Sequence, residues 1–508
     1  MKGNAIKTIE SGGLVIEVEC SIVNGLPSMT VVGLPNKAID ESRERVRNAF
    51  KSCHLEFPRK KITINLAPAD VHKEGFGFDL SIAAAVMHAA DMILDARIEN
   101  TILIGELGLN GDIRPVRGII GKLMAAKKRG YTRFIIPRGN ELQANLVSDI
   151  FVGTFSTLQQ FYAYASTLAT EEHFVKTNPE SVLSLQKVSF AEIDFADVVG
   201  QPRAKRALEI AAAGGHNIML SGPPGTGKSM LAKATSGILP KLSAQEILEV
   251  TELHSMSEQN FENIVKQRPF RAPHHSASPT SIVGGGTHPK PGEISLAHKG
   301  VLFFDELPEF PRSILESLRQ PLEDKKITVA RAKGNVTYAA DFILVATANP
   351  CPCGYYGSSK SCTCMPADIV RYQRKLSGPV MDRIDLYVDV DEVAHARLLE
   401  KASGQEHSVE IQKRIEKART MQQKRHATQG FTNSLLTNKQ IQQEACLNGQ
   451  AKELLDSAAE KLGISARSYM RCVKVARTIA DLESNKEIMP KHISEALQYR
   501  KPQQTTIL

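Results

Sequence analysis

The sequence has no tryptophan, and aromatic residues make up only 6% of its 508 positions, which disfavours rows of stacked rings as the main way of gripping nucleic acid. No window approaches 18 unbroken apolar residues, so a membrane-spanning helix is excluded and no membrane partner is expected. The opening MKGNAIKTIESGG lacks the apolar core of a secretory leader, so the expected location is cytoplasmic. There is no internal repeat and no low-complexity tract. Cysteine is scarce: eight residues in a reducing compartment are not a disulfide framework. Four of them crowd into CPCGYYGSSKSCTC, which needs its own explanation.

What is present is an ordinary balance of 42% hydrophobic and 23% charged residues, the composition of a globular protein with room for about three domains. The net charge of +8 is a mild basic excess, most of it past Asp391. Residues 1–170 alternate short apolar runs (LVIEVE, KITINLA, TILIGEL, RFIIP) with amphipathic stretches, predicting a compact α+β domain. Residues 171–190 are polar and aperiodic, as in a linker. From 191 to 392 the strands HNIML, GVLFFDE, DFILVATAN and IDLYVDV alternate with helices, predicting an α/β doubly wound parallel sheet. Residues 393–508 carry helical periodicity and read as a helical domain.

After the strand Ile218–Leu220 comes Gly222, Pro223, Pro224, Gly225, Thr226, Gly227, Lys228 and Ser229. This is GxxxxGK[ST] between a strand and a helix, where backbone N–H groups curl around phosphates, Lys228 reaches the β- and γ-phosphates, and Ser229 supplies a hydroxyl to Mg²⁺. The predicted cofactors are therefore ATP and Mg²⁺. A second apolar run, Val301–Phe304, ends in Asp305 and Glu306 at the strand edge where open sheets bind ligands. One acid suits the metal and the other the attacking water; the usual pattern assigns Asp305 to the metal and Glu306 to the base. A third strand, Phe342–Ala346, leads to Asn349, an amide able to orient that water.

The order of phosphate loop, acidic strand end, polar strand end and helical region resembles an AAA+ ATPase. The resemblance implies that Arg383, in SGPVMDRIDL, is an arginine finger acting on a neighbouring subunit, and that Arg467 is the lid arginine, with Arg471 as a competitor. Activity would then require assembly, expected to be a homo-hexamer.

Between Lys228 and Asp305 lies more chain than one α–β repeat requires. The stretch RPFRAPHHSASPTSIVGGGTHPKPGEISLAHKG reads as an exposed loop, and the adjacent His274 and His275 are poorly spaced to share an ion. Between Asp305 and Asn349, KKITVARAKGNVTYAADF reads as a β-hairpin made basic by Lys325, Lys326, Arg331 and Lys333. It resembles the pore hairpin of helicase-like AAA+ proteins, whose basic side chains, Arg331 and Lys333 at the tip, would hold DNA phosphates without reading sequence. Cys351, Cys353, Cys362 and Cys364 offer four thiolates for a closed, structural Zn²⁺ site; redox or unliganded cysteines are the alternative. The other four cysteines are expected to be packed. The helix carrying Lys413, Arg414, Lys417, Arg419, Lys424 and Arg425 reads as a solvated charged face, with a phosphate contact as the alternative.

The segments SLAHKGVLFFDELPEF, NPCPCGYYG, LSGPVMDRIDL and VARTIADL together resemble the magnesium-chelatase-like AAA+ family, and within it the YifB/ComM group, over essentially the whole chain. The N-terminal INLAPAD, KEGFGFDL and GDIRPVRGIIGKL are similar to a Lon-protease-like domain. Where that pattern has its serine this chain has Gly77, and Ile120 aligns with the dyad lysine; Ser81 and Lys122 are displaced. The domain is therefore expected to be non-proteolytic. The group implies a DNA motor with helicase and branch-migration activity that supports recombination of incoming DNA. The alternatives are a chelatase-type motor or chaperone remodelling a partner protein and, weakened by the missing dyad, a Lon-like protease.

Overall fold

The computed structural model describes residues 5–10, 13–71, 73, 77–167, 173–184, 193–257, 261–286, 289–329, 335–375, 380–393, 405–428 and 430–500. The chain divides into two compact units: Met1–Lys187 with Ser243–Val265, and Val188–Leu242 with Lys266–Leu508. No helix among the described residues is long and apolar enough to cross a membrane.

The first unit is built on a mixed sheet of β1 (Ile6–Ile9), β2 (Val15–Val23), β3 (Ser28–Val32), β4 (Lys61–Ala67), β5 (Thr101–Leu103), β6 (Arg133–Pro137), β7 (Phe151–Phe155) and β8 (Val175–Lys176). Its order is β8-β7-β6-β5-β1-β2-β4-β3. In β2, Ile16 and Val18 are buried while Glu17 and Glu19 face outward, the period-2 pattern of a sheet covered on one face. Helix α1 (Asp79–Ala89) is buried from Asp79 to His88 and lies against β1 and β2. Its first residue receives Arg45 through two bonds of 2.7 and 2.9 Å and the Leu107 N–H at 3.0 Å, which satisfies a buried carboxylate.

This unit also takes in the helix Ala244–Ser257, which lies more than 50 positions further along and follows the phosphate-loop helix in sequence. It packs on α2 (Ile119–Lys128): a Cβ on Gly121 would lie 2.5 Å from a Glu252 carboxylate oxygen. The Arg117 guanidinium sits 5.0 Å over the Phe261 ring.

The second unit carries β9 (Ile218–Ser221), β10 (Phe270–Arg271), β11 (Val301–Phe304), a hairpin of β12 (Lys326–Val329) and β13 (Val336–Ala339), β14 (Ile343–Ala348) and β15 (Leu386–Asp389). The main sheet has the order β10-β11-β14-β9-β15, with every neighbouring pair parallel. All of β11 and β14 is buried, as expected when helices cover both faces. Helices α3 (Pro202–Gly214), α4 (Lys228–Ile238), α5 (Ser408–His426) and α6 (Ala466–Leu482) contribute to one apolar core with that sheet.

Three expectations change. The stretch 268–300 is more ordered than an exposed loop: Phe270–Arg271 joins the sheet, Pro279–Val283 is helical, and Gly284–Gly285 pairs with Lys290–Pro291. Helix α5 is not simply a solvated charged face. Its lysines 413, 417 and 424 are exposed, but Arg414 pairs with Glu209, Arg419 donates to the Ala212 carbonyl, and Arg425 pairs with buried Asp481. The stem of α5 is apolar through Ile411, Ile415 and Ala418, which draws the arginines inward with it. Among the isolated cysteines, Cys53 is buried, Cys20 and Cys472 are half-buried, and Cys446 is exposed rather than packed.

Candidate nucleotide site

The strand order sets up the site. Because β14 lies between β9 and β11, the loop after β9 and the acids after β11 flank the end of β14, all at the carboxyl edge of a parallel sheet. Gly222 opens the loop where a Cβ would lie 2.3 Å from the Val390 carbonyl oxygen, so a side chain has no room. Gln201, just ahead of α3, donates from its amide to the Asp391 carbonyl at 2.6 Å and to Thr226 at 3.4 Å, tying the loop to the end of β15.

Lys228 is buried and donates to the carbonyls of Gly222 (2.6 Å) and Pro223 (2.7 Å) and to Asn349 Oδ1 (3.2 Å). Burial pulls its pKa below the usual lysine value, opposed by the charges of Asp305 and Glu306. Ser229 Oγ donates to Asp305 Oδ2 at 3.0 Å, which puts a hydroxyl and a carboxylate together, a donor pair suited to a hard divalent cation. The Asn349 amide reaches Glu306 Oε1 at 3.4 Å. One side chain just past the end of β14 therefore touches both the loop lysine and the second acid.

Thr347 is the residue that motif reading passed over. Its hydroxyl donates to Asp305 Oδ1 at 2.6 Å and accepts the Glu306 N–H at 2.9 Å, orienting the first carboxylate and anchoring the backbone of the second acid. Glu306 has φ 52, left-handed backbone that costs a non-glycine residue about 1–3 kcal/mol. The Thr347 bond helps hold it there.

The arginines gather elsewhere. Glu323 Oε1 accepts from Arg467 Nη2 at 3.0 Å and from Arg383 Nη2. The Arg383 side chain is 9% exposed and that of Arg467 51%. Arg471 donates to the Ile384 carbonyl and to Ser468 Oγ. Glu323 carried no sequence signal, being one acid among many on a surface helix.

The hairpin forms in register, Lys326 opposite Ala339 and Val329 opposite Val336. Arg331 and Lys333 lie outside the described residues. Lys325 is not a free tip charge: it pairs with Asp341 at 3.4 Å, while Lys299 holds the other oxygen at 2.8 Å. His274 and His275 stack on each other, centroids 4.1 Å apart.

The four clustered cysteines converge, their sulfur atoms all within 4.8 Å of one another. Cys351 Sγ lies 3.3 Å from Cys353 and 3.7 Å from Cys362, and Cys353 lies 3.5 Å from Cys362. Four sulfurs at about 2.3 Å from one tetrahedral ion would stand about 3.8 Å apart, so the set fits a zinc-type cation. The backbone N–H groups of Tyr355 and Thr363 pull the Cys353 thiol down to about 5. Cys364, although the Cys353 amide favours its thiolate, is pushed up to about 12 by burial and by the neighbouring sulfurs.

In the first unit, Gly77 packs against Val116, Ile120 is buried, and Ser81 Oγ is spent on the Phe78 carbonyl at 2.7 Å. Lys122 is buried, which lowers its pKa to about 8.

Comparison with known proteins matches three stretches of the chain. The family model for magnesium chelatase, subunit ChlI, matches residues 194–398; a model for the ChlI subunit of Mg-chelatase matches 18–140, and one for the ChlI C-terminal region matches 405–500. The chain is 43% identical over 491 residues to the competence protein ComM of Haemophilus influenzae, covering 96% of this chain and 94% of that protein. It is 42% identical over 489 residues to the YifB protein of Salmonella typhimurium, with the same coverage. A Lon protease of Solibacter usitatus is 27% identical over 139 residues, 26% of this chain and 17% of that protein.

Proposed function

The chain belongs to the ComM/YifB family of magnesium-chelatase-like AAA+ proteins, and from that premise we propose that it is a ring-forming, ATP-driven DNA motor. The observation that carries the nucleotide chemistry is the convergence of Lys228, Ser229, Asp305, Glu306 and Asn349 through direct hydrogen bonds, with Thr347 at the centre. Residues 222–229 would hold the phosphates of ATP, and Ser229 with Asp305 would hold Mg²⁺, which supplies charge neutralisation on the phosphoryl oxygens. Glu306 would accept the proton of the attacking water and Asn349 would orient that water. Arg383 would act on the nucleotide of a neighbouring subunit in a hexamer, and Arg467 would serve as the lid arginine. The four cysteines would hold one structural Zn²⁺.

DNA enters through two supports: the basic residues Arg331 and Lys333 in the sequence between the two hairpin strands, and the name of the Haemophilus relative, a competence protein. Branch migration and unwinding during recombination of incoming DNA is the activity this reading assigns. A partner-remodelling motor is favoured instead by the chelatase family models, which match three parts of the chain. Measuring ATP hydrolysis and particle mass with single-stranded, duplex and forked DNA separates the two. The motor reading expects stimulation by DNA that is lost in an Arg331→Ala, Lys333→Ala double variant; rates indifferent to DNA favour remodelling.

A further inference from the structure

The cysteine loop does more than sit near the site. Cys351 follows Asn349 by two residues, so whatever fixes the buried Cys351 sulfur also fixes the start of the strand exit that points Asn349 at Lys228 and Glu306. Within the same loop Gly354, at φ 87, is buried against the phosphate loop: a Cβ placed on it would lie 2.6 Å from both Cδ and Cγ of Pro224. The loop is braced by N–H groups aimed at sulfur, Tyr356 onto Cys351 at 3.3 Å and Cys353 onto Cys364 at 3.3 Å. Such bonds orient thiolate ligands around a metal.

We propose that a zinc-type cation held by Cys351, Cys353, Cys362 and Cys364 sets the nucleotide affinity of the phosphate loop, by seating Gly354 on Pro224 from one side and fixing Asn349 from the other. The inference rests on the nucleotide reading above and adds a metal dependence to it. Its physical basis is that a short loop with two left-handed glycines, Gly354 and Gly357, in a stretch closed where Gln373 bonds to Pro350 only 23 positions away, has little apolar core of its own. A closed thiolate site supplies the missing stiffness, since metal-binding energy in such sites is folding energy. Four protein ligands leave no position for water, so the ion takes no part in hydrolysis.

The test uses the full-length protein and two readouts, zinc per chain by mass spectrometry and affinity for a fluorescent, non-hydrolysable ATP analogue. Wild type is expected to carry one zinc. Cys362→Ser is expected to lose it and to bind the analogue about tenfold more weakly. Gly354→Ala keeps all four thiols, so it is expected to retain zinc yet bind the analogue about tenfold more weakly, because the added methyl pushes the loop off Pro224. Wild type without zinc overturns the proposal, as does a Gly354→Ala variant that keeps both zinc and affinity. Zinc present in a wild type that binds no nucleotide at all sinks the nucleotide reading itself, and the coupling with it.

Discussion

Arg467 and Arg383 share one carboxylate oxygen of Glu323, the first at 3.0 Å. Two guanidiniums brought to one acid on the same subunit tie the proposed finger, Arg383, to the proposed lid arginine, Arg467. Replacing Arg383 by Ala is expected to lower kcat on the order of 10³-fold, the usual cost of losing an arginine finger. Because the proposed role is in trans, mixing Arg383→Ala with Lys228→Ala subunits should recover a measurable fraction of activity that neither has alone. Mixed particles that stay inactive contradict the shared-site account.

Thr347→Val removes the hydroxyl between Asp305 and Glu306 while keeping the side-chain shape. Steady-state kinetics should show kcat down about 10- to 100-fold, the range for losing an orienting group that acts through an acid or base. The magnesium concentration for half-maximal rate should rise, whereas analogue binding in EDTA should change little. An unaltered magnesium dependence would falsify the assignment of Thr347 to orienting Asp305.

The phosphate loop and the acid pair were legible because consecutive residues write them. Their chemistry needs a fixed local backbone, and that demand leaves a motif. Strands β9, β11 and β14 were legible for a similar reason, being largely buried on both faces and so written as mostly apolar runs. Thr347 was not, since a threonine in an apolar strand is common and its role appears only when strand order sets it beside Asp305. The placement of Ala244–Ser257 in the first unit was hidden because period reports that a helix has an inner face but not what that face meets. The same limit explains α5: arginines and lysines look alike in a charge count, yet Arg414, Arg419 and Arg425 turn inward while the lysines stay out.

Asp341 anchors the hairpin base. Burial opposes its charge, but Lys325 and Lys299 outweigh that and hold its carboxyl well below the usual range. A depressed carboxyl contributes stability above its unfolded pKa of about 4 and loses it as pH falls towards the folded value. Asp341→Asn should therefore cost about 2 kcal/mol at pH 7, the order for losing hydrogen bonds to a half-buried charged group. The gap between variant and wild type in urea denaturation should shrink below about pH 4. A gap independent of pH contradicts the ion-pair account.

Lys122 gives the same direction of pH dependence from the opposite cause, a charge that burial disfavours rather than one that partners stabilise. Its folded pKa, about 8, lies below the ordinary lysine value because burial disfavours its charge. The unfolded chain binds the extra proton between about pH 8 and 10, so wild type should gain stability relative to Lys122→Met over that window, by about 1.4 kcal/mol per pH unit. Denaturation at pH 7, 8, 9 and 10 reads this directly. A constant difference places the ammonium in water.

The most direct measurement is ATP hydrolysis by the purified chain across a concentration series, with and without forked DNA, alongside particle mass by light scattering. The account predicts that turnover per subunit rises steeply as monomers assemble, rises again with DNA, and loses the DNA response in the Arg331→Ala, Lys333→Ala variant. Turnover that is the same for isolated monomers as for assembled particles, and unmoved by any DNA, contradicts it.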